Sequence, residues 1–92
     1  MPYITQKKRD ELEPLIQKLG VYMMHQSDGT WNYVITSLIR RWYAPFGGDD
    51  NYADYEDYEK AIGLLECIKL EFYRRLVAKY EDKKCNENGD VY

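Results

Sequence analysis

Carboxylates spaced three or four apart on a helix share a face, and pairs of them can hold a divalent cation against a phosphate. Glu56 and Glu59 have that spacing, in the E-x-x-E pattern that some nucleotide pyrophosphohydrolases use to bind magnesium. Such enzymes draw a second motif from another helix, and none is present here. Glu66 and Glu71, five apart, point about 140° away from each other on a helix. A solvated acidic face is the simpler reading, and a metal-dependent nucleotide hydrolase built on Glu56, Glu59 and Glu66 is the weakest of three functional readings. The acidic run Asp49-Asp50-Asn51-Tyr52-Ala53-Asp54 is no calcium loop either, because Tyr52 and Ala53 stand where ligands are needed and the glycine of the sharp turn is missing.

The single histidine, His25, has no serine, cysteine or carboxylate at a spacing that would make it a base. Cys67 and Cys85 form no C-x-x-C pair, and with His25 alone to join them a zinc site is not expected. No catalytic constellation, metal site or cofactor is therefore read from the residues.

A third set fits binding better than catalysis. Asn32 and Thr36, one turn apart, form a polar stripe with Tyr33 and Arg40 close by, and Glu66, Lys69 and Tyr73 form another further along. Arg40, Arg41, Arg74 and Arg75 supply guanidiniums suited to two-pronged recognition of phosphate or carboxylate. Tyr73 and Tyr80 offer rings on which a base can stack. Together these residues can line a tyrosine-rich groove for a nucleotide or other anionic ligand. The plainer alternative is a buried hydrogen-bond network of Asn32, Thr36, Glu66 and Lys69 that sets helix register.

The elements that must position these groups are helices. The pattern predicts a first helix over about residues 6–25, capped by Thr5, with Leu12, Leu15, Ile16, Leu19, Tyr22 and Met23 on the 3.6-residue period and a kink or fresh start at Pro14. A turn at Gln26-Ser27-Asp28-Gly29 leads to a second helix, about residues 30–43, capped by Thr30. Its apolar stripe is Trp31, Val34, Ile35, Leu38, Ile39 and Trp42. Ala44-Pro45 ends it, and a loop follows. The third helix, residues 54–82, is capped by Asp54, carries Glu56, Asp57 and Glu59 at its positive end, and meets no breaker.

Roughly 28 helical residues span about 42 Å, so two helices of about 20 Å cannot both cover the third from one side. Leu64, Leu70 and Tyr73 also lie off its main stripe. The expected architecture is a single all-α domain: a three-helix antiparallel bundle with a first helix kinked at Pro14 and a long C-terminal helix, completed by oligomerisation. The tail, residues 83–92, is expected to dock through Val91 or Tyr92 on a neighbouring surface.

Composition bounds the partners. Thirteen basic and 16 acidic residues give a net charge of −3, which lacks the basic excess of a duplex nucleic-acid binder. The charge is uneven: residues 49–59 are acidic, whereas Arg74, Arg75, Lys79, Lys83 and Lys84 make a basic segment. Ten tyrosines in 92 residues suit half-wet contact surfaces. No secretory leader and no membrane-length apolar run is apparent, and reduced thiols suit the cytoplasm.

Three stretches carry a resemblance: Asn32-Tyr33-x-Ile35-Thr36; Ile62-Gly63-x-Leu65-Glu66-Cys67-x-Lys69-Leu70-Glu71-Phe72-Tyr73-Arg74-Arg75; and Tyr80-Glu81-Asp82-Lys83-Lys84-x-x-Glu87-Asn88-Gly89-Asp90-Val91-Tyr92. With the opening Met1-Pro2-Tyr3-Ile4, they resemble an uncharacterised family of short phage, prophage and bacterial proteins. The chain departs from that pattern in its acidic loop, residues 46–57, and at Ala78-Lys79, where a proline is expected. The resemblance implies a viral or mobile-element origin, hence the cytoplasm of a host cell, and no reaction. The leading expectation is a non-enzymatic helical interaction protein that self-associates and binds a host protein, with an oligomeric binder of a nucleotide or other anion as the alternative.

Overall fold

The computed structural model describes residues 3–43 and 53–92. Their regular structure is all helix, with no strand among them. The expectations for a helix stop at Ala44-Pro45 and for most of the acidic loop fall on residues 44–52, outside the described residues. Contacts divide the chain into two units, Met1–Arg40 and Arg41–Tyr92.

The first unit holds α1 (Gln6–Met23) and α2 (Asp28–Arg40). Thr5 caps α1 as its sequence position predicts, its hydroxyl accepting from the Lys8 amide at 3.2 Å. The helix runs through Pro14 as one element, with no fresh start there. It ends two residues earlier than the pattern suggests, with Met24 as its C-cap, and the Gln26 amide turns back onto the Met23 carbonyl at 3.0 Å. Met23 is the most buried side chain among the described residues, 1% exposed.

The start of α2 differs from expectation. Thr30 does not cap it; Ser27 does. The Ser27 hydroxyl accepts from the Thr30 amide at 3.2 Å, and the Ser27 carbonyl accepts from the Trp31 amide at 3.0 Å, the first bond of the helical ladder. Asp28 then lies in the first turn, where its charge opposes the positive end of the helix dipole.

The second unit is dominated by one continuous helical run in three parts: α3 (Tyr55–Phe72), a π-helical turn (Tyr73–Val77) and α4 (Ala78–Asn88), of 18, 5 and 11 residues. Asp54 caps it in a full capping box. Its carboxylate accepts from the Asp57 amide at 3.0 Å, and its own amide donates to the Asp57 carboxylate at 3.1 Å. Tyr43 stands edge-on to Tyr58, ring centroids 5.8 Å apart, close to this start.

Residues 83–88, expected in a tail, are the last turns of this helix. Nothing in Asp82-Lys83-Lys84-Cys85 breaks it, and Lys84 and Glu87 support it with a 3.3 Å ion pair one turn apart. It ends at Gly89, whose φ of +84° and ψ of 155° suit only glycine and whose amide donates to the Cys85 carbonyl at 2.8 Å. Val91 and Tyr92 beyond it are exposed rather than docked.

The π turn is the one element with no counterpart in the expected helix. The Tyr73 amide is shared between the Lys69 and Leu70 carbonyls, and the Ala78 amide reaches back five residues to the Tyr73 carbonyl. A π turn inserts one residue into a helix and retards the phase of everything after it. Before it, Tyr58, Leu65 and Phe72 repeat every seven residues with Ile68 between; after it, the stripe resumes five residues on at Val77 and then Tyr80. Burial follows the shifted phase: Val77 and Ala78 are half-buried, while Leu76 is exposed.

Candidate functional site

The residues expected to bind a ligand fall into two sets, one on each unit. Asn32, Tyr33, Thr36 and Arg40 recur at three- and four-residue intervals and so share one side of α2. There they line a shallow open groove with Asp28, Gly29 and Ser37. The Thr36 hydroxyl donates to the Asn32 side-chain carbonyl at 3.1 Å, and both residues are exposed. The pair lies on the same side of α2 as the Tyr33 ring.

The second set, Glu66, Lys69, Tyr73, Arg74, Arg75 and Tyr80, lies along α3, the π turn and α4. Glu66 and Lys69 form an exposed ion pair at 3.0 Å. Glu71, which was not singled out as a site residue, organises the guanidiniums: Arg75 Nε donates to its Oε1 at 3.0 Å and Arg74 Nη2 stands 3.7 Å from its Oε2. The signal was its three- and four-residue spacing to two consecutive arginines. An anion approaching Arg74 and Arg75 must compete with this carboxylate.

Tyr73 reaches along the helix to Glu81, its hydroxyl donating to Oε2 at 3.0 Å. That bond, together with the Glu81 and Asp82 charges, holds the Tyr73 hydroxyl above the ordinary tyrosine range. A phenol so held stays protonated and is a weaker acid than a free tyrosine. The Lys84 ammonium lies 5.6 Å from the centroid of the Tyr80 ring, so that ring already carries a cation of its own chain.

Glu56 pairs with Lys60 at 3.6 Å, and no group of three or more histidine, cysteine or acidic side chains is placed to hold a metal ion among the described residues. Cys67 and Cys85 are exposed thiols without a bridge. No helix among the described residues is long and apolar enough to cross a membrane.

What the surface offers instead is apolar side chains. On the second unit Ala61 alone is buried among the described residues, 7% exposed, while Ile62, Leu65, Ile68 and Phe72 beside it on the same stripe are open to solvent. A match over residues 1–91 connects the chain to the family described as Domain of unknown function (DUF6899). The chain belongs to that family. It spans the first helix, the polar stripe of α2 and the whole long helix, so both sets of site residues lie inside the family domain. No curated protein and no solved structure matches the chain.

Proposed function

We propose that this protein of the DUF6899 family is a non-enzymatic helical interaction protein of phage or mobile-element type. In this reading it self-associates and binds a host protein in the host-cell cytoplasm. The observation that carries the reading is where the large apolar side chains lie. Ile62 is 67% exposed and Phe72 59%, and Trp31, Tyr33, Leu38, Leu70 and Leu76 are exposed as well. Contiguous exposed apolar surface rimmed by charge is a feature of interaction sites, and tyrosine and arginine are the residues on which binding energy concentrates. The phage or mobile-element part rests on the resemblance of the long-helix motif alone.

The test pairs sedimentation velocity with capture of host proteins by tagged wild-type chain and by a Tyr33→Ala variant side by side. A dimer or larger species, and a host protein recovered in stoichiometric amount by the wild type and lost by the variant, support both halves of the reading. A monomer at high micromolar concentration contradicts self-association, and the lack of any stoichiometric partner contradicts host-protein binding.

A second reading has one observation in its favour: Asn32, Tyr33, Thr36 and Arg40 line a common groove. On this reading the groove takes a nucleotide or other small anion, with the ring stacking and the guanidinium on phosphate. A ligand that binds the folded state alone raises the melting temperature by mass action. A thermal-shift panel of mono-, di- and cyclic nucleotides, repeated with Arg40→Ala, decides it. A rise abolished by the substitution supports the groove, and a flat panel removes it.

A further inference from the structure

The side chains of Tyr73 and Glu81 meet at 3.0 Å across eight residues of one helical run. In a regular α-helix eight residues turn about 80° beyond two full turns, so these side chains would point apart. The π turn removes that angle. Its inserted residue takes back about 100°, which leaves Glu81 about 20° from the line of Tyr73. The bond exists because the turn exists. The neighbouring contacts do not share this dependence. Glu71 holds Arg75 and Arg74 at four- and three-residue spacing, which a regular helix satisfies equally, and the Tyr80–Lys84 and Lys84–Glu87 contacts lie wholly within α4.

A π turn is the rarer pattern, since α bonding is ordinarily the more stable for the same residues. Tertiary packing does not enforce it here: residues 79–88 are exposed throughout, so no covered face fixes the rotation of α4. We propose that the long helix is a two-state element in which the Tyr73–Glu81 hydrogen bond latches the π turn. Release of the latch returns the segment to α bonding and rotates α4 by about 100° relative to α3.

The two states present different surfaces. With the π turn in place, Val77, Tyr80 and Lys84 follow Phe72 along the exposed stripe, and Val77 is half-buried while Leu76 is open. With α bonding, Leu76, Lys79 and Lys83 take those places. The latched helix therefore prolongs its stripe with a valine and an aromatic ring, whereas the released helix ends it in two lysines after one leucine. Leu76 and Val77 are adjacent and both aliphatic, so each phase keeps one such side chain on the stripe. The device is intrinsic to one chain, and its test does not depend on any partner.

The two states differ in one hydrogen bond that NMR reads directly, through the scalar coupling between an amide nitrogen and the carbonyl carbon that accepts from it. In the latched state the Ala78 amide bonds to the position 73 carbonyl, five residues back. In the released state it bonds to the Arg74 carbonyl, four back. Wild-type chain is expected to show the first coupling as the larger. Tyr73→Phe, which removes only the hydroxyl, and Glu81→Ala are each expected to shift the ratio toward Arg74 by about fivefold. The double variant should shift it no further than either alone. Glu81→Gln, whose amide oxygen still accepts a hydrogen bond, should keep more of the position 73 coupling than Glu81→Ala. A wild-type chain coupled mainly to Arg74, or a ratio that either single variant leaves unchanged, overturns the latch. Loss of helix by circular dichroism in Tyr73→Phe or Glu81→Ala also overturns it, because the bond would then support the helix as a whole rather than choose between its two phases.

Discussion

The Tyr73 hydroxyl donates to Glu81 Oε2 at 3.0 Å although the two residues are eight apart in the chain. Eight residues of α-helix rise about 12 Å, more than two turns. The pair thus braces the π turn from outside, joining its first residue to α4 beyond its last.

That bond makes the Tyr73 titration a reporter of the brace. Because the hydroxyl is held above its ordinary value in the folded chain, the bond contributes fully below about pH 10, where an unfolded tyrosine is still protonated. Its contribution is lost as pH rises through the raised value. Ring-labelled tyrosine NMR, with Tyr73→Phe to assign the signal, should show Tyr73 titrating above the ordinary tyrosine value. Glu81→Gln should bring it back toward that value. A Tyr73 signal that ignores the Glu81 substitution contradicts the brace.

If the π turn is a one-residue insertion that keeps Val77 and Tyr80 in phase with Phe72, deleting Arg74 should leave a regular α-helix with the same phase between Phe72 and Val77. Far-ultraviolet circular dichroism and self-association are then expected to survive the deletion. Inserting an alanine after Arg74 should rotate α4 and weaken self-association. Equal tolerance of both changes would mean that the face beyond Phe72 takes no part.

Met23 and Leu38 differ sharply in burial within the first unit, 1% and 56% exposed. Met23→Ala is expected to destabilise by about 2–4 kcal/mol, as truncation of a fully buried methionine does. Leu38→Ala, at an exposed position, is expected to change stability by less than about 1 kcal/mol. Urea unfolding of the two variants measures both. Equal losses would show that Leu38 is covered in solution.

Removing the capping box with Asp54→Ala leaves the Asp57 amide without its partner, at an expected cost of about 1 kcal/mol. Gly89→Ala forces a Cβ onto a positive φ at the other end of the same helix. Because only the last turn depends on Gly89, the expected effect is faster amide exchange over residues 85–88 with an unchanged melting temperature. A melting temperature lowered as much by Gly89→Ala as by Asp54→Ala would contradict this division.

Much of this was legible in the residues. Thr5 and Asp54 are cap residues placed before apolar periodicity, and both cap as their chemistry dictates. All three helices follow from that periodicity. Ser27 was harder to see, because Ser-Asp-Gly reads equally well as a turn and as an N-cap with its first residues; only the hydroxyl-to-amide bond separates the two. The long helix outruns its apolar pattern because polar residues such as Lys84 and Glu87 sustain helix without burying anything. The π turn left one trace, the five-residue step from Phe72 to Val77, which is masked because Leu76, four residues on, continues the stripe of an ideal 3.6-residue period. Among the site residues, the grouping of Asn32, Tyr33, Thr36 and Arg40 follows from spacing on one helix. The role of Glu71 in holding Arg74 and Arg75 follows from the same rule applied to charge.

The central claim is that the exposed stripe on the long helix is covered by another chain. Sedimentation velocity of the wild-type protein and of Phe72→Lys, at matched micromolar concentrations, tests it most directly. The account predicts a dimer or larger species for the wild type and a monomer of unchanged helix content for the variant. A wild-type chain that sediments as a monomer throughout, or a Phe72→Lys chain that associates just as well, would contradict it.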